Sequence, residues 1–259
     1  VTFRDTLVRA PRLLPLLLLL LVGCGHPVPV SVPEVVRLLP HDTGAYTQGL
    51  LLHEGLFYES TGQYGSSTLR EVDVETGEVL RMVELSEDYF GEGIALVDDR
   101  IIQLTWREGV AFVYDLETFD VVDTFDYQGE GWGLCYDGQY LYMTTGGSFL
   151  QRRDPTTFSL LESVQITLGG NPLFQVNELA CVGDHVYGNV YMTDRIVQME
   201  KATGVVVAEV DGSMLEPAGG RPLQSDAVMN GIAHDPDSDL FYLTGKLWSS
   251  IFEVRLAPM

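Results

Sequence analysis

Gln48-Gly49-Leu50, Glu92-Gly93-Ile94, Trp132-Gly133-Leu134, Asn177-Glu178-Leu179 and Asn230-Gly231-Ile232 are one phrase written five times. Each places a polar or aromatic residue just ahead of a short apolar run, at steps of 44, 40, 45 and 53 residues. A repeat of about 40–50 residues made of strands and turns marks a β-propeller. Working outward, each unit reads in the same order. A first apolar strand such as Ile94 to Val97 meets a Gly- and Asp-rich hairpin turn such as Asp98-Asp99-Arg100 or Asp137-Gly138-Gln139. A strand rich in β-branched and aromatic residues returns, as in Leu240-Phe241-Tyr242-Leu243. Third and fourth strands follow about a second turn, for example Glu75-Thr76-Gly77 or Thr156-Thr157-Phe158. The fifth unit stops after its third strand, so Val35 to Leu39 is expected to supply the missing outer strand and close the ring. The expectation is an all-β chain: a five-bladed β-propeller of four-stranded antiparallel blades, with residues 37–259 as its single domain and almost no helix.

This geometry converts a repeat into a site. First and second strands are antiparallel, so their connecting turns share one face of the ring. The starts of the first strands and the ends of the second strands then share the other face. Gln48, Glu92, Trp132, Asn177 and Asn230 should therefore meet Trp106, Tyr191 and Lys246 around one mouth of the central channel, where sites on such folds sit.

The charge excludes several classes of partner. With 15 Lys and Arg against 37 Asp and Glu, the formal net charge is −22. Nucleic acid and anionic membrane surfaces both require a basic footprint, so neither is expected as a partner. At the N-terminus, Arg4, Arg9 and Arg12 flank an apolar stretch, Leu13 to Leu21. That stretch is too short for a bilayer span of roughly 20 residues, and residues 1–23 read as a signal peptide. Leu21-Val22-Gly23-Cys24 resembles a bacterial lipoprotein cleavage box, which implies lipid attachment at Cys24. Residues 24–36 then form the lipidated cysteine and an extended, proline-bearing tether. The expected location is the periplasm or cell envelope; Gly25, where an aspartate would retain some lipoproteins at the inner membrane, favours the outer membrane. Cys135 and Cys181 could pair in that compartment. Alternation points them to opposite faces of their strands, so free buried thiols are expected.

The rim residues carry the chemistry. Glu92 lies in Tyr89-Phe90-Gly91-Glu92-Gly93; a carboxylate among aromatics is partly desolvated, which raises its pKa and suits general acid–base work. The same carboxylate could instead hold a structural cation or cap backbone amides. Lys246, one of only two lysines with Lys201, could bind an oxyanion or pair with Glu92. Gln48, Asn177 and Asn230 can donate amide hydrogen bonds to a carbonyl oxygen. Phe90, Trp106, Trp132 and Tyr191 would form apolar walls. No G-x-S-x-G or H-E-x-x-H pattern is present, no Cys or His cluster has metal-ligand spacing, and the glycine-rich run Gly129 to Gly133 precedes a strand where a phosphate loop would need a helix.

Tyr46-Thr47-Gln48-Gly49-Leu50, Phe90 to Ile94, Gln103-Leu104-Thr105-Trp106, Gly131-Trp132-Gly133, Val176-Asn177-Glu178-Leu179, Asn189-Val190-Tyr191, Asn230-Gly231-Ile232-Ala233 and Thr244-Gly245-Lys246 together resemble the plant and bacterial type of glutaminyl-peptide cyclotransferase. The likeness runs in order from about His41 to the C-terminus. It implies a five-bladed propeller, unrelated to the zinc-dependent animal-type enzyme, that converts N-terminal glutamine to pyroglutamate and releases ammonia. It marks Tyr46, Gln48, Phe90, Glu92, Trp106, Trp132, Asn177, Tyr191 and Lys246 as the pocket. Glu92 would transfer protons, while Lys246 and Asn177 would hold the γ-carbonyl oxygen and Gln48 would help orient the substrate. No metal and no cofactor are implied; the partners are peptides or proteins with N-terminal glutamine, and a monomer is expected. Tyr191 stands where the family commonly has tryptophan, and Tyr46 where it often has phenylalanine. Two competing readings are a propeller lactonase or similar hydrolase with a channel cation, and a non-catalytic binding propeller of the envelope.

Overall fold

A computed structural model describes residues 1–2 and 27–256. Cys24 and all but the first two residues of the expected signal segment lie outside the described residues. Strands form where the apolar and β-branched runs predict them, and no helix occurs among the described residues. Thr47–His53, Leu56–Thr61, Thr68–Asp73 and Val79–Glu84 pair in chain order as the first antiparallel blade. The second blade is Gly91–Val97, Arg100–Thr105, Val110–Asp115 and Val121–Asp126. The third is Leu134–Tyr136, Leu141–Met143, Phe149–Arg153 and Leu160–Gln165, and the fourth is Val176–Val182, His185–Val190, Arg195–Glu200 and Val206–Asp211. In the fifth, Met229–Asp235, Leu240–Gly245 and Ser250–Arg255 are completed by Glu34–Pro40, which pairs antiparallel with Ser250–Arg255. The ring is thus closed by the N-terminal strand, as expected. Val30–Ser31, within the stretch read as a tether, adds parallel to Val206–Asp211 as a fifth strand of the fourth blade.

The outer turns repeat one device. Asp73, Asp115 and Asp154 each accept the amides two and three residues on, at 2.8–3.1 Å. The chain then reverses at Gly77, Phe119 or Phe158, all with positive φ. The apolar core lies between blades rather than within them. Leu104 and Ala95 of the second blade, for instance, pack on Leu134, Leu141 and Met143 of the third. Four further clusters fill the other four seams.

This seam packing corrects the expectation for the cysteines. Cys135 and Cys181 form a disulfide, with Cα atoms 5.5 Å apart. They do point to opposite faces of their own strands. In a ring, however, one face of each blade packs on the opposite face of the next. Cys135 of the third blade therefore meets Cys181 of the fourth across their shared seam.

The inner strands crowd the axis. A Cβ on Gly133 would lie 1.9 Å from the Asn177 carbonyl oxygen, and one on Gly93 would lie 2.6 Å from that of Trp132. Glu178 is the exception among the five phrases. Its carboxylate, fully buried, accepts the backbone N–H of Leu50 across the channel at 2.9 Å and that of Leu179 at 2.8 Å. The backbone-capping role considered for Glu92 thus belongs to Glu178.

Candidate active site

Four of the five opening residues reach the mouth because their inner strands bulge there; Trp132 lies just ahead of its strand, Leu134–Tyr136. Pairing shifts register between Thr47 and Gly49, Gly91 and Ile94, Val176 and Leu179, and Met229 and Ile232. A bulge leaves a residue out of the ladder and re-aims its side chain. The result is a cavity of about 220 Å³ lined by Tyr46, Gln48, Gln63, Phe90, Glu92, Trp106, Trp132, Asn177, Tyr191, Asp226 and Lys246. Nine of the ten rim candidates therefore share one cavity. Asn230 does not line it. Its Nδ2 donates to the Thr47 carbonyl at 2.9 Å and to Gln48 Oε1 at 3.3 Å, so it backs Gln48 from behind.

Glu92 is buried, and its Oε2 has no hydrogen-bond partner among the described residues. Burial drives its pKa well above the ordinary carboxylate value; Lys246 opposes the shift, while Glu130, Glu178 and Glu108 add to it. Lys246 is buried as well, and burial brings its pKa down to about 8 against the pull of Glu92 and Asp226. Its Nζ lies 4.6 Å from the ring centroid of Tyr46 and 4.9 Å from that of Tyr191. A carboxyl pushed up and an ammonium pushed down, both lining one cavity, are the opposed shifts that acid–base sites carry. The Asn177 side chain is buried, and its Oδ1 has no partner among the described residues.

The walls are aromatic. Phe90 meets Tyr46 edge-on at 6.2 Å and lies 5.5 Å from Trp106, and Trp132 meets Tyr191 edge-on at 5.8 Å. Room for these rings comes from glycines. A Cβ on Gly62 would strike the Phe90 ring at 2.2 Å, and one on Gly146 the Trp132 indole at 2.5 Å. Among the described residues, no three His, Cys, Asp or Glu side chains converge as a metal cage.

Against this geometry stand the comparisons with known proteins. The sequence pattern of the family described as glutamine cyclotransferase matches residues 20–256. The chain belongs to the glutamine cyclotransferase family. It is 35% identical over 230 residues to an Arabidopsis thaliana glutaminyl-peptide cyclotransferase, covering 86% of this chain and 71% of that protein. The crystal structure of Myxococcus xanthus glutaminyl cyclase superposes with a TM-score of 0.83 at 39% identity, covering 89% of this chain and 98% of that one. The RRP9 WD40 repeats, at 9% identity and a TM-score of 0.54, share the fold alone.

Two further residues, which the repeat does not mark, line the cavity. Asp226 comes from the long connection before Met229 and accepts the Tyr46 hydroxyl at 2.8 Å. Gln63 follows the second strand of the first blade at a φ of 108°. Neither sits at a repeated position, so the alignment of blades gave no signal for them. Positive φ also marks Gln175, Met192 and Leu247, next to or near wall residues. Such strain collects around functional sites.

Proposed function

We propose that the protein is a glutaminyl-peptide cyclotransferase, closing the N-terminal glutamine of peptides or proteins into pyroglutamate with release of ammonia. The observation that carries this reading is Glu92, a buried carboxyl whose Oε2 finds no hydrogen-bond partner among the described residues, in an aromatic cavity it shares with Lys246. An unsatisfied buried acid is costly to a fold and is retained where chemistry uses it.

The reaction is intramolecular, so curling the side chain supplies a large part of the rate. Trp106, Trp132, Phe90 and Tyr191 enclose the aliphatic carbons and exclude water. The neutral α-amine adds to the γ-amide carbon, and the carbonyl electrons move onto oxygen. Lys246 and the Asn177 amide donate to that oxygen as its charge develops. Glu92, as carboxylate, takes a proton from the attacking nitrogen and delivers it to the amide nitrogen. That nitrogen leaves as ammonia while the carbonyl re-forms. Gln48, held by Asn230, orients the substrate. No side chain of the enzyme forms a bond to the substrate.

The Cys135–Cys181 disulfide supports placing the protein in an oxidising compartment, in keeping with export and anchoring through Cys24. The substrates would then be exported chains beginning with glutamine. The test is to incubate Gln-initiated peptides with the protein, with and without a chelator. The expected result is loss of one ammonia per peptide, unaffected by the chelator. Release abolished by the chelator would favour cation-dependent chemistry, and no release at all would leave a binding module.

A further inference from the structure

Glu130 lies outside the cavity wall, yet it holds two of its walls together. Its Oε2 accepts the indole N–H of Trp106 at 3.0 Å and that of Trp132 at 2.9 Å. Its Oε1 accepts Arg107 Nε at 3.1 Å, and the Arg107 guanidinium stacks 3.6 Å from the Trp106 ring centroid. The two tryptophans belong to different blades: Trp106 follows the second strand of the second blade, and Trp132 opens the third. The loop bearing Glu130 is itself tied to Trp106, because Gly131 N donates to the Trp106 carbonyl at 2.8 Å. Gly131 permits this approach, since a Cβ there would lie 2.6 Å from the Thr105 carbonyl oxygen.

We propose that Glu130 is a positioning residue for the cyclisation: one carboxylate oxygen clamps both indoles in the arrangement that curls the glutamine. The proposal rests on the cyclotransferase reading above. A surface role is the competing explanation, as Arg107 is exposed and an exposed ion pair contributes little. That role, however, accounts for only one of the two oxygens. The oxygen shared by two indoles is charge-assisted twice over, and without it each indole N–H loses its acceptor while its ring regains freedom to turn. The carboxylate also adds a negative charge near Glu92, the largest like-charge contribution to the upward shift of that group.

The chain has three tryptophans, so the test can be read on single indole resonances of the full protein. Trp248 donates to the Ala227 carbonyl at 3.0 Å, away from Glu130, and serves as internal reference. In Glu130→Ala, the Trp106 and Trp132 N–H resonances should move and exchange faster while Trp248 stays in place. The kcat for a Gln-initiated peptide should fall about 10–100-fold, the scale of a mispositioned reactant. Glu130→Gln should recover most of that loss, because one amide oxygen can accept both indoles. Both variants should shift the acid limb of the pH profile to lower pH, since both remove the charge that raises Glu92. Unmoved Trp106 and Trp132 resonances in Glu130→Ala, or an unchanged kcat, would overturn the proposal. So would indole N–H groups in the wild type that exchange as fast as free indole, whatever the variants do. If the wild type itself released no ammonia, the cyclotransferase reading would fail, while the indole spectra would still test the clamp.

Discussion

The Lys246 ammonium lies 4.6 Å from the ring centroid of Tyr46, and this contact stands where an ion pair was the other possibility. No carboxylate among the described residues comes within ion-pair distance of Lys246. Its charge is stabilised by the faces of Tyr46 and Tyr191 and by the negative charges of Glu92 and Asp226. An ammonium held this way keeps its hydrogens available for a substrate oxygen.

Removing that cation should change both rate and pH dependence. Lys246→Met should lower kcat about 10²–10³-fold, the usual effect of losing one oxyanion donor. In the wild type, activity should decline above about pH 8 as Lys246 loses its proton, and this limb should vanish in the variant. Lys246 also lowers the Glu92 pKa, so its loss should move the acid limb to higher pH. A pH–kcat profile of both proteins checks all three outcomes.

The repeat made most of the site legible. Gln48, Glu92, Trp132 and Asn177 could be placed together because they open equivalent strands; Trp106, Tyr191 and Lys246 could be added because they end the partners of such strands. What stayed hidden depends on contacts that no repeat position encodes. Asp226 arrives on an irregular connection, and Glu130 acts through the indoles of two blades. Asn230 occupies an opening position, but its amide is taken by the backbone of Thr47. The disulfide is hidden from the sequence because alternation along a strand relates residues within one blade, whereas Cys135 and Cys181 face each other across a seam.

Ring closure should carry its own pH dependence. His41, just after the closing strand, hydrogen-bonds Glu59 through Nε2 at 2.9 Å and the Trp248 carbonyl through Nδ1 at 2.7 Å, joining the first and fifth blades. Burial opposes charge on both groups, but their mutual attraction and hydrogen bonds win, raising His41 and lowering Glu59. The His41 contribution is complete below its ordinary value of 6.5 and is lost as pH rises through its raised value. The Glu59 contribution is complete above its ordinary value of 4.5 and is lost as pH falls through its lowered one. The pair should therefore stabilise most between pH 4.5 and 6.5. Glu59→Gln should cost about 3–5 kcal/mol there, as expected for breaking a buried pair. Denaturant midpoints measured across pH should show the wild-type advantage shrinking on the alkaline side.

The disulfide should matter for stability and not for turnover. It closes a loop with a sequence separation of 46 and lies beside the opposite opening of the channel from the cavity. The paired change Cys135→Ser and Cys181→Ser should lower unfolding free energy by about 2–4 kcal/mol. Its kcat, measured well below the unfolding midpoint, should match that of the wild type.

Gly133 should be intolerant of any side chain. In Gly133→Ala the new methyl would lie 1.9 Å from the Asn177 carbonyl oxygen, so the strand carrying a proposed oxyanion donor must move. Overpacking of this kind costs about 1–3 kcal/mol. Calorimetry and kcat should both register the change, with the fall in kcat persisting at temperatures where the variant is fully folded.

The central claim is that Glu92 moves the proton from the attacking to the departing nitrogen. It is tested most directly by following ammonia release from a Gln-initiated peptide with wild type and Glu92→Gln, both shown to be folded. The predicted result is a fall in turnover of about 10²–10⁴-fold, the usual worth of a positioned acid–base group. A Glu92→Gln protein that releases ammonia at nearly the wild-type rate would contradict the account.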